Sequence, residues 1–138
     1  MQNKEVGISA LVPIIKEAIQ NNSTINLTPK GLSMLPFLSE REVVTLSKPK
    51  FPLKKYDIIF YYRERTGAYV MHRVVGICDN DYICCGDNQF MLERVSKDNV
   101  IAQVTDIKRD KKFVCEWLYC RTLFARRFFK HIKCKFFK

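Results

Sequence analysis

The chain is poor in metal-ligating residues. It has two histidines, His72 and His131, and none of its six cysteines stand in a C-x-x-C pair. A structural zinc site needs four Cys or His ligands at close spacing, so no metal is expected, and no other cofactor is implied. Cys84 and Cys85 are adjacent, and on a strand they would point to opposite faces and not join one site. No run of about 18 or more apolar residues occurs, which excludes a spanning helix. No basic, apolar and small-residue leader is visible at the start. The expected setting is therefore cytoplasmic or peripheral to a membrane, with reduced thiols. Repeats, low-complexity tracts and long linkers are also missing, so the 138 residues read as one domain.

What is present is an apolar fraction of 47%, enough for a globular core, and a formal charge of +10. The charge is uneven. Residues 116–138 carry seven Lys and Arg against Glu116 alone. Such a tail is expected to meet an anionic partner. Within residues 115–138, Trp117, Cys120, Phe124, Phe128 and Ile132 recur at helical spacing, with the cations elsewhere around the helix. A basic amphipathic helix with Trp and Phe suits a membrane surface. The alternative is a helix docked on the domain or on a second subunit. Nucleic acid is not the expected partner, because no recognised binding motif accompanies the basic residues.

Along the chain, Val6, Ile8, Leu11, Val12, Ile15, Ala18 and Ile19 predict a helix over residues 6–20, packing across a sheet. It falls in a leading segment, residues 1–23. Strands are expected at Thr24–Thr28, Arg41–Ser47, Tyr82–Cys85 and Asn99–Lys108. A hairpin is expected from Asp57–Arg63 and Ala68–Ile77, joined through Gly67. Short strands at this spacing predict a mainly β (α+β) domain, a barrel or sandwich over residues 24–114, with helices at both ends.

Three stretches carry candidate chemistry. In Gly31-Leu32-Ser33-Met34-Leu35-Pro36, glycine permits a tight turn and proline limits any helix that follows. Such a turn can expose the Ser33 hydroxyl and gather the N–H groups of Leu32 and Ser33. It can equally be a serine capping the turn Met34–Leu38. His72 falls mid-strand and shares a face with Val70 and Val74, while Met71, Arg73 and Val75 take the other. That is the place of a core histidine, yet partial burial also tunes a histidine towards a general base. Asp87 lies in a Gly-Asp-Asn turn, where aspartate commonly bonds its own backbone. Glu93 follows the apolar Phe90-Met91-Leu92. Either carboxylate can orient His72, or Glu93 can be a solvated charge paired with Arg94.

The Ser33 hexapeptide, Leu53-Lys54-Lys55-Tyr56-Asp57-Ile58-Ile59, His72-Arg73-Val74-Val75 and Gly86-Asp87-Asn88 stand in an order and spacing similar to the serine peptidases of the S24/S26 group. These are the type I signal peptidases and the LexA-type self-cleaving repressors. Val100–Val104 matches their closing strand, and the resemblance runs from about Thr24 to Ile107. It implies a LexA/signal-peptidase-like fold. It implies Ser33 as nucleophile and His72 as base, in the manner of the endoplasmic-reticulum and archaeal enzymes, where His-Arg-Val stands. Their carboxylate lies six residues past the turn aspartate, which here lands on Glu93 in place of aspartate. Gly31 replaces a serine that helps the oxyanion hole in many bacterial enzymes, so the hole would rest on backbone N–H groups of Leu32 and Ser33. Leu32 also replaces the small residue usual before the nucleophile, and Tyr56 a glycine. The resemblance further implies an extended polypeptide substrate, such as a leader or signal-like segment. A self-cleaving or non-catalytic docking module on the same scaffold is the alternative. No Ala-Gly bond is present for self-cleavage.

Overall fold

The computed structural model describes residues 7–109 together with 119, 120, 122, 123 and 125. The chain is mainly β: among the described residues, seven strands form one antiparallel sheet beside an N-terminal α-helix.

Helix α1, Ile8–Gln20, buries Val12, Ile15 and Ile19, a three- and four-residue spacing that gathers them on one face. Its end is set by the asparagines. Asn22 takes φ 53°, a left-handed conformation that asparagine tolerates. The Ser23 N–H then returns to Ala18 O at 2.8 Å and the Asn22 N–H to Ile19 O at 3.2 Å, closing the last turn.

The strands are β1 Ile25–Leu27, β2 Val43–Ser47, β3 Ile58–Arg63, β4 Ala68–Cys78, β5 Asp81–Cys85, β6 Glu93–Val95 and β7 Val100–Lys108. Their order in the sheet is β1-β2-β7-β3-β4-β5-β6, so β7 returns to lie between β2 and β3. The expected hairpin is β3 and β4, turning at Gly67 with φ 67°. In its register Ile59 faces His72 and Tyr61 faces Val70, while Ile58 faces Arg73 and Phe60 faces Met71. Directly opposed residues share a sheet face, so the pairs sort into two sets.

Each set feeds its own core. One joins α1 with Met34, Phe37, Leu38, Val44, Leu46, Ile58, Phe60 and Ala102. The other gathers Leu53, Ile59, Tyr61, Val74, Tyr82, Cys84 and Val95. The alternation thus sends His72 towards the second core and Arg73 towards the first. Cys84 and Cys85 also diverge: only Cys84 joins the second core, and Cys85 Sγ lies 3.4 Å from both Gly86 O and Gln89 O.

Two expectations change. Residues 93–95, where no strand was expected, form β6, paired to β5 with Glu93 opposite Cys84. Three residues between turns offer too short a pattern for alternation to show. The tail expectation falls largely outside the described residues, including Trp117, Phe124, Phe128 and Ile132. Cys120 was assigned to the apolar face turned to lipid. It is buried in the first core beside Tyr119 and Leu123, its Sγ 3.3 Å from Arg73 Nη1. At these positions the segment docks on the domain.

Candidate active site

Ser33 sits in a turn pinned from both sides. Gly31 adopts φ 91°, which favours glycine, and its N–H donates to Glu40 Oε1 at 2.7 Å. Met34, Phe37 and Leu38 bury their side chains beneath the turn, and the Leu35–Pro36 peptide bond is cis. From the far side, the Asn88 N–H donates to Ser33 O at 2.8 Å and Asn88 Nδ2 to Leu32 O at 2.9 Å. The Gly-Asp-Asn stretch therefore grips the serine turn by its main chain. Among the described residues Ser33 Oγ makes no hydrogen bond, so the capping role does not describe it.

His72 is 3% exposed and held by one ring nitrogen. Its Nδ1 lies 3.1 Å from Glu93 Oε1 and 3.1 Å from Tyr61 Oη. Beside a carboxylate, Nδ1 carries the proton and donates it, which leaves Nε2 as an acceptor. A Cβ placed on Gly86 would stand 3.1 Å from His72 Nε2 and 2.6 Å from Ser33 O, so the two groups converge on a gap that only glycine leaves open. Ser33 and His72 also line one cleft of about 230 Å³, with Gly31, Met34, Met71 and Gln89 on its walls.

The electrostatics keep the ring neutral. Burial lowers the His72 pKa below the ordinary 6.5, and Glu93 only partly opposes it. Burial alone would raise Glu93, but hydrogen bonds from Arg63 and Tyr61 outweigh it and hold the carboxyl below the usual range. Arg63 gives Glu93 both arms, Nε to Oε2 at 2.7 Å and Nη2 to Oε1 at 2.8 Å. The Tyr61 hydroxyl donates to Oε1. Behind them, burial and then Glu93 push the Cys84 thiol up to about 12, so it stays protonated.

Of the two candidate carboxylates, Glu93 reaches His72 and Asp87 does not. Asp87 takes Arg73 Nε at 2.9 Å, Arg73 Nη2 at 2.9 Å and the Tyr119 hydroxyl at 3.1 Å. Both side chains of this ion pair are fully buried on the other face of the sheet. The Asp87 turn still helps build the site, through the flanking Gly86 and Asn88. Glu93 is not a solvated charge paired with Arg94, which instead meets Asp81 at 2.6 Å.

Tyr61 and Arg63 were not singled out in the sequence. The signal was available: they lie two residues apart on β3, in the period that puts them on the His72 face. The Leu32 and Ser33 N–H groups donate to no acceptor among the described residues, and Leu32 is 61% exposed. A hydroxyl, a neutral imidazole with a free acceptor nitrogen and an ionised carboxylate behind it are the parts a proton-abstracting nucleophile needs. No protein-family model matches the chain, and no curated protein matches it.

Proposed function

We propose that the chain is a serine endopeptidase of signal-peptidase-like fold, with Ser33 as nucleophile and His72 as general base. The reading is carried by the setting of His72: its Nδ1 is held by Glu93, and the residue lines one cleft with Ser33. Ser33 Oγ attacks the scissile carbonyl while His72 Nε2 takes its proton. His72 then returns that proton to the leaving amine, and water repeats the cycle on the acyl-enzyme. Glu93 orients the ring and stabilises the imidazolium. The N–H groups of Leu32 and Ser33 face the developing oxyanion.

The substrate is an extended polypeptide, leader- or signal-like. β4 pairs with β5 only from Arg73 onward, so Tyr69–Met71, which line the cleft, pair with β3 on one side and have no strand partner among the described residues on the other. That flank offers main-chain groups to an added strand. Leu32 at 61% exposed and Met91 at 67% sit on the two loops joined by Asn88, with Phe90 and Leu92 also exposed. This apolar rim favours work at a membrane surface. No helix among the described residues is long and apolar enough to cross a membrane.

The test is hydrolysis of leader-bearing polypeptides by the purified protein, read by mass spectrometry. Ser33→Ala and His72→Ala are each expected to abolish the cut. Cleavage that survives either substitution removes the assignment.

A further inference from the structure

Glu93 is poorly held by its own strand. Among the described residues, β6 has three residues, stands at the end of the sheet and pairs only with β5. A glutamate is also a longer and looser arm than an aspartate, with one more rotatable bond to fix. Yet its carboxylate is anchored at both oxygens, and three of its four polar contacts among the described residues come from β3. Arg63 Nε donates to Oε2 at 2.7 Å, Arg63 Nη2 to Oε1 at 2.8 Å and the Tyr61 hydroxyl to Oε1, with His72 Nδ1 as the fourth at 3.1 Å. A two-armed guanidinium fixes the plane of a carboxylate as a single point charge cannot.

We propose that Arg63 and Tyr61 are positioning residues for the peptidase site. They clamp the Glu93 carboxylate so that it meets Nδ1 of His72, locks the Nδ1–H tautomer and leaves Nε2 as the acceptor towards Ser33. The inference rests on the peptidase reading for its kinetic consequence, but its structural content does not depend on activity. The groups facing His72 are Glu93 from β6, Tyr61 and Arg63 from β3, Asp87 at longer range and Ser33 across the cleft. Arg73 points to the opposite face. Arg63 therefore also balances Glu93: with the cation gone, the imidazolium faces an uncompensated carboxylate.

The experiment uses the full chain and Arg63→Met, Arg63→Lys and Tyr61→Phe. The His72 tautomer and titration are read by long-range proton–nitrogen NMR, with His131→Gln to assign the one other histidine. The wild-type ring is expected as Nδ1–H. Arg63→Met is expected to mix the tautomers, raise the His72 pKa and lower kcat/KM about ten- to a hundredfold, the scale of a lost charge-assisted hydrogen bond. Arg63→Lys restores the charge without the fork, so it should recover the pKa more fully than the rate. Tyr61→Phe is expected to mix the tautomers and cost about tenfold in rate. If Arg63→Met does not fold, Tyr61→Phe carries the same tautomer test. A wild-type Nε2–H ring overturns the proposal, as do folded variants with wild-type tautomer and titration. A protein that hydrolyses nothing, but whose His72 tautomer shifts in these variants, retains the clamp and loses the peptidase reading.

Discussion

His72 and Arg73 are neighbours in β4, and each meets one carboxylate on its own side of the sheet. His72 Nδ1 stands 3.1 Å from Glu93 Oε1, and Arg73 Nε stands 2.9 Å from Asp87 Oδ1. The strand's two-residue alternation thus divides a pair with a partly exposed carboxylate from a fully buried one.

That division separates the consequences of losing each acid. Asp87→Ala strands a fully buried guanidinium without its partner, and is expected to cost about 3–5 kcal/mol of folding stability. Glu93→Gln keeps the side-chain shape at a half-buried site but removes the negative charge and turns one of the two acceptor oxygens into a donor. It is expected to leave the protein folded and lower kcat/KM by up to about 10⁴-fold, the scale seen when an orienting carboxylate becomes an amide. Urea unfolding and peptide hydrolysis measured on both variants check the contrast. Equal loss of stability in the two would contradict it.

Gly86 sets the spacing of the serine and the imidazole. A Cβ there would lie 2.6 Å from Ser33 O, which is main chain, and 3.1 Å from His72 Nε2. The carbonyl is itself tied to the Asn88 N–H at 2.8 Å and has little freedom to retreat. Gly86→Ala is therefore expected to push the Ser33 turn off the ring. Stability should fall by about 1–3 kcal/mol, as for overpacking. Turnover should fall far more, because the displacement acts on the reacting pair. A Gly86→Ala protein with wild-type kcat would mean that this contact does not set the geometry.

Acid should weaken both folding and turnover in a defined window. The unfolded chain protonates His72 near the ordinary 6.5, whereas the folded chain resists until a lower pH because the ring is buried. Between those values the unfolded state binds more protons, so stability rises with pH. Glu93 acts in the same direction at lower pH. Burial disfavours its charge, but Arg63 and Tyr61 more than compensate, so its contribution is full above the ordinary 4.5 and is lost as pH falls through its lowered folded value. Thermal melts from pH 8 downward should show a first loss below about 6.5 that His72→Gln removes. The kcat/KM profile should have its acid limb below 6.5.

The fold was legible where the pattern was long. Alternation across β3 and β4 put His72 and Arg73 on opposite faces, and a turn glycine marked the hairpin. The end of the first helix at residue 20 was also readable, and its cause is Asn22 in the left-handed region. β6 was not legible, since three residues carry no period and its identity comes from pairing with β5. The choice between Asp87 and Glu93 was equally beyond the sequence. It depends on Arg73 claiming Asp87 from across the sheet, a long-range contact that no local spacing encodes. That Arg63 shares a face with His72 was readable, but its pairing with Glu93 was not, because that partner lies thirty residues away on a different strand.

Tyr119 joins the tail to the serine turn, and this contact is open to test with the chain intact. Its hydroxyl donates to Asp87 at 3.1 Å, and its ring lies 5.2 Å from that of Phe37, which underlies the Ser33 turn. Arg73 stacks near both rings, 4.5 Å from Phe37 and 5.8 Å from Tyr119. Tyr119→Phe keeps the ring and removes one hydrogen bond to a charged group, so a loss of about 1.5–3 kcal/mol is expected. Tyr119→Ala removes the packing as well and should cost about 3–5 kcal/mol, as for a large aromatic taken from a core. Because Phe37 then loses a wall, turnover should fall in Tyr119→Ala beyond what its unfolded fraction explains, while Tyr119→Phe should keep most of it. Chemical denaturation with hydrolysis assayed well below the unfolding transition separates the two effects. A Tyr119→Ala protein as stable as the wild type would mean that the tail does not rest on the domain at this residue.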